Sequence, residues 1–166
     1  MLSRIKRYVG KIEQSWKRKA ILAKLSDRDR KLIADIRAQK ITYLSETRLA
    51  SINSTCSSIE DANLAGMFIE AGCALGGSAA LIASTKNSER PLFIYDVFEM
   101  IPPPTDKDPQ DVHERYQTIV KGKSAGIGGD KYYGYLENLY DVVQSNLNSF
   151  GLNCQKQLIF LIKGRV

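Results

Sequence analysis

Apolar residues recur every three or four positions through the first third of the chain, which is the spacing of one face of an α-helix. A helix is predicted over residues 3–25, and its apolar positions are Ile5, Val9, Ile12 and Trp16. A second helix is predicted to begin after Ser26, because this hydroxyl can cap it and Asp29 follows three residues later, as in a capping box. Its inward positions are Leu32, Ile33 and Ile36. A third helix is predicted over residues 45–59, and its inward positions are Leu49 and Ile52.

The pattern then changes to short apolar runs separated by glycines. Residues 67–69 are predicted to form a strand, and a helix rich in small residues is predicted to start at Ala79. Residues 92–95 are predicted to form a second strand that ends at Asp96. Two strands joined by such a helix form a βαβ unit, because parallel strands require a crossover connection.

The second half of the chain predicts a long excursion followed by one more helix and strand. Three consecutive prolines exclude helix and central strand within residues 101–110. Helices are predicted over residues 110–122 and 136–150, with a Gly- and Tyr-rich loop at 124–135 between them. Gly151 is expected to end the second of these helices. The run QLIFLIKG predicts a third, buried strand, so the order of elements is that of one half of a doubly wound α/β sheet.

A sheet of three strands would leave the first strand as a bare apolar edge, which promotes aggregation. We therefore expect something to cover it: further sequence, a partner chain or the N-terminal helices. The chain is divided into a basic helical segment, residues 1–40, and a partial α/β domain, residues 41–166.

Composition favours one folded domain outside the membrane. The chain has 166 residues, of which 43% are hydrophobic, enough for a sizeable core. No apolar run approaches the roughly 20 residues that cross a bilayer, and the N-terminus lacks a signal-peptide pattern. The three cysteines include no CxxC pair and are expected to be reduced thiols. The cytoplasm is the expected location.

Positive charge is concentrated at the N-terminus. The net charge is +6, and residues 1–40 hold 13 Lys and Arg against 4 Asp and Glu. Because these charges are spread around a helix and alternate with apolar residues, we interpret them as a solvated helical face that packs on a neighbouring element or a second subunit. Binding to nucleic acid is the alternative and predicts an affinity that falls steeply with salt. We expect no nucleic acid and no membrane as partner, whereas a homo-oligomer stays open.

The stretch FIEAGCALGGSA is the most informative part of the sequence. The first strand leads into Glu70 and Gly72, and Gly76, Gly77 and Ser78 then open a helix. Glycine permits a sharp turn and close approach of a ligand to the backbone, and a helix start presents unpaired N–H groups. Asp96 follows Gly76 by 20 residues at the end of the second strand. An acid there is placed to accept hydrogen bonds from ribose hydroxyls.

The same stretch argues against a dinucleotide. Ala74 stands where the GxGxxG pattern has its second glycine, and its methyl group would crowd a passing pyrophosphate. The acid before the first glycine suits a cationic amine better than a diphosphate. S-adenosylmethionine has an amino acid end, a sulfonium and a ribose but no phosphate, so it fits better than NAD. A glycine turn that only packs strand on helix is the structural alternative.

The motifs together resemble one family. EAGCALGGSA and YDVFEMIPPP resemble the glycine motif and the following DSFEGLP-type stretch of the macrocin O-methyltransferase (TylF-type) family of class I methyltransferases. The upstream ITYLSETRLASI and the final LIKGRV resemble two further segments of that family. The resemblance implies the N-terminal half of a Rossmann-like fold, with its first three strands, and O-methylation of a small-molecule or sugar hydroxyl.

The resemblance also implies roles for individual residues. Glu70 and Gly72 would line the methionine end of S-adenosylmethionine, and Asp96 would hold its ribose. The carboxylate of the cofactor would be cradled by Gly76, Gly77 and Ser78. The preceding segment would contribute Thr42 and Tyr43, and Cys73 would be a small filler rather than a nucleophile.

Members of this family continue past the KG into strands that carry acidic residues of a divalent-metal (Mg) site and a general base. Those residues are absent here, so the chain is expected to be a truncated form that carries the cofactor half. The alternative is a non-catalytic binding remnant.

Other candidates carry weaker signals. His113 is expected to be a surface histidine rather than a base. A solvated loop, rather than a metal site, is expected to hold Asp106, Asp108 and Asp111. The loop over residues 124–135 is interpreted as a flexible lid. Its tyrosines are either acceptor contacts or packing residues, and the candidates are Tyr132, Tyr133 and Tyr135.

Overall fold

A computed structural model describes residues 20–164. Within that range the elements are α1 (Asp27–Ala38), α2 (Glu46–Asp61), β1 (Phe68–Ala71), α3 (Gly77–Thr85), β2 (Leu92–Asp96), α4 (Gln110–Val120), α5 (Leu139–Ser149) and β3 (Ile159–Lys163). The helix predicted over residues 3–25 lies outside the described residues except for its last turn, where residues 20–23 are helical. None of the described helices is long and apolar enough to cross a bilayer.

The three strands form one parallel sheet in the order β1-β2-β3. The register places Ala71 beside Tyr95 and Asp96 beside Lys163. The carboxyl ends of the strands therefore meet at one edge of the sheet, which confirms the predicted half of a doubly wound, Rossmann-like α/β fold.

Serine side chains start the two helices that precede the sheet. The Ser26 hydroxyl accepts a hydrogen bond from the amide of Asp29 (3.1 Å), and the Ser45 hydroxyl accepts one from the amide of Arg48 (3.4 Å). Gly151 follows the last turn of α5 with φ of 73°, a left-handed conformation that glycine adopts without strain. The helix start predicted at Ser26 and the helix end predicted at Gly151 are confirmed.

One face of the sheet carries the core. Leu92 and Ile94 alternate along β2 and are fully buried against the helices. Small residues at the start of α3, Ala79 and Ala80, are also fully buried and let this helix pack closely. The remaining large core residues come from the other helices and include Ile33, Ile36, Leu49, Leu139, Val143 and Leu147.

The opposite face of the sheet is open in the described part of the chain. Ile69 is 62% exposed and Phe160 is 42% exposed, and the rings of Phe93 and Phe160 stack with centroids 4.9 Å apart. The prediction that β3 is a buried strand is therefore wrong for one of its faces. A continuous apolar run predicts burial on both sides, whereas the described helices cover only one.

Several element boundaries differ from the prediction, and α3, for example, begins at Gly77 rather than Ala79. β1 begins at Phe68 rather than Met67 and extends through Glu70 and Ala71. The last helix begins at Leu139 rather than residue 136, because residues 133–135 form a separate 3-10 turn.

Candidate functional site

The loop between β1 and α3 turns through three left-handed residues. Gly72, Ala74 and Gly76 have φ of 81°, 50° and 85°. Two of these positions suit glycine, whereas an L-residue such as Ala74 pays about 1–2 kcal/mol for this conformation. The sequence prediction treated Ala74 only as a steric obstacle and missed this backbone strain.

Asp96 ties this loop to the end of β2. Its Oδ2 accepts hydrogen bonds from the amides of Cys73 (2.8 Å) and Ala74 (3.3 Å), and its Oδ1 accepts one from the amide of Phe98 (3.0 Å). A carboxylate offers about four acceptor positions, so the buried Asp96 keeps about one for a ligand hydroxyl. These bonds to backbone N–H groups also explain how a carboxylate can be buried here.

Glu70 is the second acid of the site and is incompletely paired. Ser78, in the first turn of α3, donates a hydrogen bond from Oγ to Oε1 of Glu70. The other oxygen, Oε2, is buried and has no hydrogen-bond partner. Burial raises the pKa of Glu70 to about 7, the hydrogen bond from Ser78 opposes this rise, and the charge of Asp96 adds to it. An unpaired buried oxygen is costly, and a ligand donor would relieve that cost.

Two adjoining cavities open at this edge of the sheet. The first, the Glu70 cavity, has a volume of about 290 Å³ and is lined by Glu70, Gly72, Ser78, Thr42 and Tyr43 among others. The second, the Asp96 cavity, has a volume of about 560 Å³. Both are lined by Ala71 and Gly72. The combined space is in the range of cofactor pockets, and it brings together six of the eight predicted cofactor residues.

Gly76 and Gly77 do not line either cavity. The Gly76 amide donates to the carbonyl of Cys73 (2.8 Å), and the Gly77 amide donates to the carbonyl of Ile41 (3.1 Å). A Cβ on Gly77 would lie 2.6 Å from that carbonyl oxygen, and one on Gly76 would lie 3.0 Å from Cγ1 of Val143. These glycines thus allow close packing, and their contact with a cofactor carboxylate stays a prediction.

Cys73 is a buried packing residue rather than a reactive thiol. Its thiol is buried, and burial first and the nearby Asp96 next raise its pKa above the ordinary value. A thiol in such surroundings stays protonated and is a poor nucleophile, in line with the filler role predicted for it.

The Gly- and Tyr-rich loop over residues 124–135 contacts the segment before α2. The rings of Tyr43 and Tyr133 meet edge to face with centroids 5.9 Å apart, and Lys40 pairs with Asp130 at 2.9 Å. Tyr133 also lines the Asp96 cavity. The loop thereby lines the Asp96 cavity and contacts Tyr43, a wall of the Glu70 cavity.

The three loop tyrosines have different surroundings. Tyr132 is buried, and Tyr135 donates its hydroxyl to the carbonyl of Ile119 (2.6 Å), so both are packing residues. Only Tyr133 faces a cavity. Burial and the neighbouring Tyr132 hydroxyl raise its pKa, so the side chain stays a protonated phenol that does not accept a proton at neutral pH, and its contact with an acceptor stays a prediction.

His113 lies outside both cavities, where its Nε2 is 3.1 Å from the carbonyl of Thr105. Asp108 accepts hydrogen bonds from the amide and hydroxyl of Thr105, which lower the pKa of Asp108. Over residues 20–164, no group of three His, Cys, Asp or Glu side chains could hold a metal ion.

The sequence prediction missed several walls of the cavities. Ile52, predicted only as a core residue of its helix, lines the Glu70 cavity. Ile101, Pro102 and Pro103 line the Asp96 cavity. Their signal was available, because loops that follow the carboxyl ends of parallel strands form the ligand crevice in such sheets.

Comparisons with known proteins agree with this fold. The family model of macrocin-O-methyltransferase (TylF) matches residues 3–153. The crystal structure of the calicheamicin methyltransferase CalS11 superimposes with a TM-score of 0.50 at 14% sequence identity, which shows similarity of fold. The alignment covers 92% of this chain but 58% of that one, so the chain spans little more than half the length of this structural relative. No curated protein sequence matches the chain.

Proposed function

The chain belongs to the macrocin-O-methyltransferase (TylF) family, and on that premise we propose that its two cavities bind S-adenosylmethionine for methyl transfer to a hydroxyl oxygen. The observation that carries the proposal is the buried, unpartnered Oε2 of Glu70 beside a cavity whose described lining includes no Lys, Arg or His. Such a cavity favours a cationic group. It disfavours a phosphate, because its described lining offers no cation and the nearby Asp96 would repel a negative charge.

The residues present fit the parts of this cofactor. The ammonium of its amino acid end would meet Glu70, and a ribose hydroxyl would use the remaining acceptor position of Asp96. Gly72 lines both cavities, and nothing lies within 4 Å of the place where its Cβ would be, so a ligand can pass close to the backbone. When bound, this cofactor supplies a methyl group on a positively charged sulfur.

In methyl transfer, the described residues of this chain would hold the cofactor in a fixed position and orientation. Glu70, Gly72 and Asp96 would fix the cofactor at both ends, and a reaction between two held partners gains from their orientation. Tyr43 lines the Glu70 cavity, Tyr133 lines the Asp96 cavity, and their rings contact each other. They would help to exclude water from the bound cofactor.

We assign no general base within residues 20–164. Transfer to a hydroxyl requires that its proton be removed, but His113 lies outside the cavities and Tyr133 has a raised pKa. The acceptor, a small-molecule or sugar hydroxyl, is proposed from the family alone. We place the protein in the cytoplasm, which agrees with three free cysteines, and propose no nucleic acid or membrane partner.

Calorimetry tests the proposed cofactor site directly. The full chain is titrated with S-adenosylmethionine and, separately, with NAD, and a hydroxylated acceptor library is then incubated with methyl-labelled cofactor. Saturable binding of S-adenosylmethionine but not NAD supports the site. Labelled product identifies an enzyme, binding without turnover identifies a non-catalytic module, and no binding of S-adenosylmethionine refutes the proposal.

A further inference from the structure

Glu70 faces groups that do not compensate its charge. From α3, Ser78 gives its single hydrogen bond. From the other side, β2 contributes Asp96, whose charge raises the pKa of Glu70. An ionised Glu70 would therefore sit beside another carboxylate with one of its oxygens unpaired.

The remaining neighbours are neutral. α2 contributes the buried thiol of Cys56, whose pKa is raised to about 11 by burial, by Glu60 and by Glu70. The glycine loop contributes Cys73, whose pKa is also raised by burial. The segment before α2 contributes Thr42 and Tyr43 to the cavity wall, and burial raises the pKa of this tyrosine as well. No described wall of the cavity supplies a cation.

We infer that Glu70 is protonated in the ligand-free protein below neutral pH, and that it releases this proton when the ammonium group of the cofactor binds. The inference rests on the proposed function. In the balanced step, a carboxylic acid and a free ammonium ion become a carboxylate–ammonium pair, and one proton passes to the buffer. A charge pair replaces an acid that lacked a partner for Oε2, so binding and deprotonation favour each other.

This coupling predicts a specific pH dependence. With the pKa of Glu70 at about 7, about 0.9 proton is released per bound ligand at pH 6 and about 0.1 at pH 8. Affinity should rise by nearly tenfold per pH unit below about pH 6.5 and then level off. Above about pH 8 it should fall again, because the ligand amine loses its own proton.

The experiment compares two ligands of the full chain by calorimetry. S-adenosylhomocysteine carries the amino acid end, whereas methylthioadenosine lacks it. Titrations at pH 6 in buffers of different ionisation enthalpy give the number of protons released. Release with the first ligand and none with the second is the expected result.

Two variants assign the proton to a residue. Glu70→Gln should bind methylthioadenosine as the wild type does, which shows that the site is folded. Its affinity for S-adenosylhomocysteine should lose the dependence on pH below 7. Glu114→Gln, which changes an exposed acid on α4, should keep the full dependence.

The outcomes separate this inference from the proposed function. Binding of S-adenosylhomocysteine with no proton release at pH 6 overturns the inference and leaves the cofactor site standing. A pH dependence that persists in Glu70→Gln assigns the proton elsewhere and also overturns it. If neither S-adenosylhomocysteine nor S-adenosylmethionine binds at any pH, both the inference and the proposed function are refuted.

Discussion

At the scale of residues, the two acids of the site differ in how completely they are paired. Asp96 accepts three backbone hydrogen bonds, so it holds the glycine loop in place before any ligand arrives. Glu70 accepts one hydrogen bond and leaves Oε2 unpaired. The first acid therefore supports the fold, whereas the second costs stability when it is ionised.

The cost of ionising Glu70 predicts how stability depends on pH. The pKa of Glu70 is raised in the folded state from 4.5 to about 7. The folded state thus binds more protons than the unfolded state in this interval, and its stability falls as pH rises from 4.5 through 7. Relative to Glu70→Gln, the ligand-free wild type should lose about 3 kcal/mol between pH 4.5 and 8.

Urea unfolding of both proteins at several pH values measures this difference. A constant difference between the wild type and Glu70→Gln across the interval would contradict the prediction. The Glu114→Gln variant controls for the loss of an acid that is exposed.

Two glycines of the loop should respond differently to alanine. A Cβ on Gly77 would lie 2.6 Å from a backbone oxygen, which cannot move aside cheaply, so Gly77→Ala should lower the free energy of unfolding by about 2–3 kcal/mol. At Gly72 nothing lies within 4 Å of the added Cβ, but φ is 81°. Gly72→Ala should therefore cost only about 1–2 kcal/mol, while its methyl group enters the proposed cofactor path.

Cofactor titration and denaturant unfolding of both variants check this difference. Folded Gly72→Ala should bind the cofactor more weakly than the wild type. Folded Gly77→Ala should bind it with unchanged affinity. The reverse pattern would show that Gly77, not Gly72, faces the ligand.

At the scale of elements, one arginine joins the end of α2 to the start of β2. Arg90 pairs with Glu60 at 2.6 Å, with side chains 11% and 19% exposed. It also donates to the carbonyls of Leu64 (2.7 Å) and Gly66 (3.0 Å). Arg90→Met leaves a half-buried carboxylate and two carbonyls without this donor, and we expect a loss of about 2–4 kcal/mol.

Lys31→Met is a matched control for Arg90→Met. Lys31 pairs with Asp35 at the same 2.6 Å distance, but these side chains are 76% and 44% exposed, so its loss should cost less than about 0.5 kcal/mol. The contribution of Arg90 to the free energy of unfolding should also shrink as pH falls below 4.5. The reason is that the hydrogen bond from Arg90 lowers the pKa of Glu60 in the folded state. Equal effects of the two variants in thermal unfolding would contradict this assignment.

The elements that carry the site were predictable because their signals are local. Serine caps, the 3.6-residue period and the strand–glycine–helix stretch each depend on neighbours in sequence. The hydrogen bonds of Asp96 to the glycine loop span 22 and 23 residues, and the contact between Ile41 and Gly77 spans 36 positions. Because such contacts appear only after folding, the sequence did not reveal that Gly77 packs against Ile41, and the ligand contact that the resemblance implies for Gly77 stays a prediction.

At the scale of the whole molecule, the described chain forms a layer of helices on one face of a parallel sheet. Parallel sheets are ordinarily covered on both faces. Here the second face carries apolar side chains from all three strands, and they are Ile69, Phe93, Tyr95, Phe160 and Ile162. Ile69 and Phe160 are exposed on this face and the other three side chains are partly buried, so the face presents apolar surface to the solvent.

This open face should make the chain associate with itself. Large exposed apolar patches promote association, and β1 also presents an unpaired strand edge. We expect sedimentation of the full chain at micromolar concentrations to show species larger than a monomer. Phe160→Glu places a charge on this face, where burial against a second copy would be costly, and should shift the distribution toward monomer.

Val120→Glu provides the control for this charge. Val120 is also an exposed apolar residue, 48% accessible, but it ends α4 and does not belong to the sheet face. Its replacement should leave the distribution unchanged, since the effect of Phe160→Glu depends on where the charge is placed. A wild-type chain that sediments as a monomer and binds no apolar dye would show that the face is already covered within one molecule.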